Sequence, residues 1–146
     1  MKQTEIDLLG ISLSENGNMI YAVDVAFHEG GLRLGNKRET VIKVVTKILR
    51  TAMCIRGFFG SAKAEIIYAS PKINPATLAE INKPTIIDDI NCLFKDSEWE
   101  YTARIIANDD FYEHVMKPIK NVSDNVSDTS ELFLRAHQLI RMTNHS

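Results

Sequence analysis

The sequence predicts an α/β domain of layered type, with helices flanking a mixed sheet that opens on a β-hairpin. Three observations predict it. Two short β-type runs at the start are joined by SENGN, whose Asn-Gly step favours a tight antiparallel turn. Between Lys37 and Phe59, apolar residues recur at three- and four-residue spacing, as an amphipathic helix requires. Strand-like and helix-like stretches then alternate, and strands joined through helices pair in parallel.

The first strand is expected over Glu5 to Leu13 (EIDLLGISL) and the second over Met19 to His28 (MIYAVDVAFH). The helix that follows carries Val41, Val44, Val45, Ile48, Leu49, Ala52 and Phe59 on its apolar side, and Gly57 and Gly60 mark its end. AEIIYASPK is a strand of β-branched and aromatic residues closed by Pro71. NPATLAEI then starts a helix, with Asn74 as N-cap and Pro75 at the first helical position. A further helix over Thr85 to Phe94 precedes EYTARIIAN, another strand. The pattern from Asp109 to Lys120 is helical until Pro118, and TSELFLRAHQLIRMT reads as a last amphipathic helix.

With 146 residues and 45% hydrophobic content, the chain fits one core and a single domain over residues 1–146. No segment approaches the roughly 18 to 20 apolar residues that span a bilayer, and MKQTEIDLLG lacks the basic and apolar regions of a signal peptide, so the expected location is cytoplasmic. Cys54 and Cys92 form no CxxC pair and read as reduced core thiols. Charge is uneven: residues 1 to 32 hold five acids and only Lys2 as a base, whereas residues 33 to 63 hold eight bases against Glu39 alone. That order suits a carboxylate cluster beside a surface that tolerates phosphate, or simply a solvated basic helix face.

One residue stands out. Asp24 sits in the middle of YAVDVAFHE, an otherwise apolar strand, and an ionised carboxylate taken out of water needs a partner. Strand alternation places Val23, Val25 and Phe27 on one face, toward the core, and Ala22, Asp24, Ala26 and His28 on the other. If the hairpin pairs as its turn suggests, Asp7 approaches Asp24. Two carboxylates in one site repel unless a cation lies between them, and a hard divalent ion with oxygen ligands, Mg²⁺ or Mn²⁺, answers that need. In the plainer alternative, Asp7 is a strand-end carboxylate bonded to backbone amides and the domain is an unrelated α/β unit.

EIDLLGI in the first strand and VDVAF in the second, followed by helix, strand, helix and strand, resemble the PD-(D/E)XK nuclease superfamily, whose fold is the restriction-endonuclease type. The resemblance covers roughly residues 4 to 108. It implies a three-layer restriction-endonuclease-like core and Mg²⁺-dependent hydrolysis of phosphodiester bonds in DNA, with Asp7, Asp24 and the carbonyl of Val25 holding the metal. The chain departs from the pattern at Ala26, where the family triplet ends in a lysine that orients the attacking water and offsets phosphate charge. Three residues are candidates to replace it. His28, about 6.6 Å further along the strand, would serve as base or ligand. Lys43 and Lys47 lie on the polar side of the following helix, from which some relatives of the superfamily draw the lysine. Otherwise the domain would be an inactive member of the fold that binds nucleic acid or a protein partner. The family also has a helix and a strand before the EIDL strand. Either this chain is part of a longer one, or another element, such as the C-terminal helix with Glu131, completes the covering of the sheet. The basic stretch from Arg33 to Lys63 is the surface expected to meet DNA, and a homodimer is left open.

Overall fold

The computed structural model describes residues 5–119 apart from 16, 61, 84 and 85. Four strands form one mixed sheet in the order β1 (Leu8–Ser12), β2 (Met19–Val25), β3 (Lys63–Ser70) and β4 (Tyr101–Ala107). The opening hairpin is antiparallel, with Leu8 opposite Val23 and Ser12 opposite Met19, while β2–β3 and β3–β4 are parallel. The fold is therefore α/β with a four-stranded mixed sheet flanked by helices. Both strands of the hairpin are shorter than the sequence suggests, because β2 leaves the ladder after Val25. Asn16 of the turn lies outside the described residues, and Gly17 N–H donates to the Ser14 carbonyl at 3.1 Å.

The 23-residue helix α1 (Lys37–Phe59) crosses from β2 to β3. Its start is fixed by a reciprocal cap: the Asn36 side chain accepts from Glu39 N–H, and the Glu39 carboxylate accepts from Asn36 N–H at 3.0 Å. Gly35 is required here. Its φ is 114°, and a Cβ would fall 1.9 Å from the Glu39 carboxylate that returns over it. Gly60 ends the helix with φ 62°, whereas Gly57 lies inside it. A stripe of Val41, Val44, Ile48, Ala52 and Ile55 is buried, and burying each of the larger aliphatic residues contributes about 1.5–3 kcal/mol.

Helix α2 (Pro75–Ile81) starts at Asn74, whose side chain accepts from Ala76 N–H at 2.9 Å. Helix α3 (Ile87–Asp96) leads into β4. All three helices share one core with the sheet face that carries Ile20, Ala22, Ile66 and Tyr101. After β4, α4 (Asp109–Phe111) runs into a π-helical turn, Tyr112–Met116, and Phe111 and Met116 pack with Ile67, Ala69 and Ile106 on the opposite face. The predicted helix TSELFLRAHQLIRMT, with Glu131, lies outside the described residues.

This arrangement revises the expected sidedness of β2. Val23 and Val25 are only partly buried, against the smaller cluster, and Phe27 is exposed. The face that carries Asp24 is the more deeply buried one, because the crossovers place α1, α2 and α3 over it. Cys54 and Cys92 are both unpaired, but Cys92 is exposed and not part of the core. Trp99 and Tyr101 are packing residues around Phe94, with ring centroids 6.1 and 5.7 Å away. Among the described residues no helix is long and apolar enough to cross a membrane.

Candidate functional site

Antiparallel register builds the first half of the site. Leu8 pairs with Val23, so the residue before the strand, Asp7, falls opposite Asp24. The Asp7 carboxylate accepts a hydrogen bond from Val25 N–H at 2.7 Å. This is the backbone-bonded arrangement of the plainer reading, and it also holds Asp7 beside its partner strand's acid.

The second half comes from α1. Residues four apart on a helix lie one above the other, so Lys43, Lys47 and Thr51 form a polar row along the side that faces β2. Thr51, fully buried, donates to Asp24 Oδ2 at 2.9 Å. Lys47 Nζ stands 3.1 Å from Asp24 Oδ1 and also donates to the Glu5 carbonyl at 2.6 Å. Lys43 points elsewhere along the row and donates to the Leu34 carbonyl at 2.7 Å.

Asp24 is 3% exposed, and burial pushes its carboxyl above the ordinary 3.8; the Lys47 and Thr51 side chains act against this, and the Asp7 charge adds to it. Although Lys47 pairs its charge with Oδ1, the alignment falls short of a hydrogen bond, and Oδ1 is a buried oxygen without a hydrogen-bond donor among the described residues. Tyr68, directly across the sheet from Asp24, belongs to the same surroundings. Its burial and the two nearby carboxylates push its hydroxyl up to about 12.

These groups open onto one cavity of about 440 Å³, whose lining includes Asp7, Asp24, His28, Lys43, Lys47 and Tyr68. All five candidate residues from the sequence thus line a single space, but in unequal positions. Lys47 reaches Asp24. Lys43 is tied to the loop at Leu34. His28 sits past the end of β2, in an exposed turn closed by Gly31 N–H to the His28 carbonyl at 2.8 Å, so strand alternation no longer carries its ring onto the Asp24 face. Sequence reasoning missed Thr51 and Tyr68. The signal for Thr51 was its spacing of four from Lys47, while Tyr68 needed the β2–β3 register.

The residues that could hold a hard cation are two carboxylates and the backbone at Val25. Asp7, Asp24 and Val25 line the same cavity, and the Asp24 oxygen without a hydrogen bond, Oδ1, stands 3.1 Å from the Lys47 ammonium. Among the described residues no group of three or more His, Cys, Asp or Glu side chains comes together. Mg²⁺ tolerates that, because it retains waters and is commonly held by one or two carboxylates with substrate phosphate. Comparison with family models, curated proteins and solved structures finds no match to this chain.

Proposed function

We propose that this chain is a divergent nuclease of the restriction-endonuclease-like type that hydrolyses phosphodiester bonds of DNA with Mg²⁺ or Mn²⁺. The observation that carries the reading is the Lys47 ammonium, delivered by α1 to 3.1 Å from Asp24 in the cavity that Asp7 also lines. Lys47 takes the place of the lysine absent at Ala26. Asp7, Asp24 and the Val25 carbonyl would hold the ion, which when bound polarises phosphate and lowers the pKa of water. Lys47, one-third exposed in its side chain, offers a proton donor that orients a water and offsets phosphate charge. Thr51 keeps the Asp24 carboxylate in one rotamer, as a positioning residue. Lys43 and His28 line the cavity wall and make no hydrogen bond to either carboxylate.

A second reading, a member of the same fold that binds DNA without cutting it, is favoured by the enclosure of Asp24 and by Ala26. One experiment separates the two. Supercoiled plasmid incubated with Mn²⁺ is nicked by the wild-type chain, and nicking is lost in Asp7→Ala, Asp24→Ala and Lys47→Ala. Calorimetry shows Mn²⁺ binding that disappears in the two aspartate variants. No nicking by a chain that binds duplex DNA would replace the enzyme with the binder, and absence of Mn²⁺ binding would remove the metal site.

A further inference from the structure

A second cavity, of about 410 Å³, opens beside the first, where the segments following β2 and β3 meet. Ligands of open α/β sheets bind in the crevice outside the carboxyl ends of the strands, and both cavities lie there. The chain from Phe27 to Gly35 connects them: Phe27, His28 and Leu34 border the carboxylate cavity, and Gly30, Gly31, Leu32, Arg33 and Gly35 border the second. Its walls are held firmly. Leu32 N–H donates to the Lys72 carbonyl at 2.8 Å, and the Asn108 side chain bonds both Ile73 N–H, at 2.8 Å, and the Ile73 carbonyl, at 3.0 Å. Gly31, with φ 90°, lies against Lys72, where a Cβ would come 3.3 Å from the lysine chain.

The lining contains Arg33, Lys37 and Lys72 and no carboxylate. Lys37 is loosely engaged by Glu80 at 3.8 Å, and among the described residues Arg33 and Lys72 have no acidic partner. The caps Asn36 and Asn74 spend their side-chain oxygens on Glu39 N–H and Ala76 N–H. Thr77 does not. It is 7% exposed, lines the cavity, and its hydroxyl makes no hydrogen bond with any described residue. Apart from Glu80 beside Lys37, the lining is cationic, and the charges of Arg33 and Lys72, without acidic partners among the described residues, together with the Thr77 hydroxyl suit an oxyanion.

We infer that this cleft binds a backbone phosphate of the nucleic acid next to the one at the carboxylate site, with Arg33 and Lys72 supplying charge and Thr77 a hydrogen bond. The inference rests on the nucleic-acid reading above and deepens it: the strand would run along the Phe27–Gly35 segment from one cavity to the other. The site is read out separately from cleavage, by fluorescence anisotropy of a short labelled DNA duplex in metal-free buffer across a series of salt concentrations. The double variant Arg33→Ala/Lys72→Ala binds about tenfold more weakly, and its log–log salt slope is shallower by about 0.9 for each phosphate it no longer neutralises. Thr77→Val, which removes the hydroxyl and keeps the shape, weakens binding with the slope unchanged. Lys95→Ala/Lys117→Ala, taking the same charge from outside the cleft, does neither.

Equal losses in the two double variants, or an unaltered slope in the cleft variant, would overturn the inference, as would a wild-type chain that does not bind the duplex. Plasmid nicking that needs Lys47 but persists alongside a normal slope in the cleft variant leaves the nuclease standing and the cleft without a role. Cleft-dependent binding by a chain that never nicks does the reverse.

Discussion

The sheet carries two carboxylate–cation pairs on opposite faces, and they live in different worlds. Glu65 of β3 and Arg104 of β4 pair on the face away from α1, with the arginine side chain half exposed. Water solvates the arginine and reaches part of the glutamate there, and such pairs are worth about 0–1 kcal/mol. Asp24 and Lys47 pair beneath α1, where the carboxylate is 3% exposed and one of its oxygens lacks a hydrogen bond. Taking that charge out of water costs several kcal/mol before any attraction is counted. A fold in need only of sheet stability has no use for the second arrangement, and an aliphatic residue at position 24 would continue the core of Ile20 and Ala22. The difference marks the buried pair as a charge that the core does not need for its packing.

The largest effect expected is at Lys47. Lys47→Ala leaves Asp24 buried without its cation and should lower stability by about 3 kcal/mol, whereas Arg104→Ala should cost about 1 kcal/mol or less. Urea denaturation of both variants at neutral pH measures the contrast, and equal losses would erase it. Next comes Thr51, which donates to the same carboxylate from a fully buried position. Thr51→Val preserves the volume and removes a hydrogen bond to a charged group, at a cost of about 1.5–3 kcal/mol. A loss of a few tenths would mean that Asp24 finds another donor.

How much of this could be read from the sequence follows from which forces are local. The period of α1, the cap at Asn74 and the stop at Gly60 are short-range, and the helices start or stop at them. Asp24 announced itself because a charge among valines breaks a pattern. Which face of β2 is the deeper core did not show, since Ala22 and Val23 are both apolar and only the crossover of α1, α2 and α3 decides between them. Lys47 was one of three candidates, and that it is the one beside Asp24 depends on helix phase relative to β2, which spacing within α1 does not contain. His28 was placed by extending strand alternation past Val25, where the ladder ends. Thr51 and Tyr68 are ordinary in their sequence surroundings, and they matter only through what lies 2.9 Å away or across the sheet.

The same comparison has a pH signature. Burial holds the Asp24 carboxyl above its ordinary 3.8. Between 3.8 and that raised value, the folded chain keeps a proton that the unfolded chain has released, so this group's contribution to stability is greatest below 3.8 and is lost as pH rises through the raised value. Asp24→Asn should flatten that part of the stability profile. At neutral pH it should also be as stable as the wild type or more stable by about 1 kcal/mol, because Lys47, one-third exposed, can return to water. A chain that is more stable and no longer nicks plasmid would separate the two uses of this carboxylate. A strongly destabilised Asp24→Asn would mean that the ion pair is a structural support, as Glu65–Arg104 is.

The smallest effect is expected at Tyr68, and it tests whether the cavity acts as one electrostatic unit. Its hydroxyl is pushed up to about 12 by burial first and then by the charges of Asp24 and Asp7. It is therefore neutral at any pH at which the chain works, and Tyr68→Phe removes a polar atom without changing charge. Stability should shift by about 1 kcal/mol or less. The informative measurement is the ultraviolet titration of the phenol in the wild type against Asp24→Asn and Asp7→Asn. Each neutralised carboxylate should bring the Tyr68 transition down from about 12 toward its ordinary 10.0, with the Asp24 substitution producing the larger step because that residue stands directly opposite. If neither substitution moves it, burial alone sets the hydroxyl's behaviour, and the two aspartates do not share a field across the cavity.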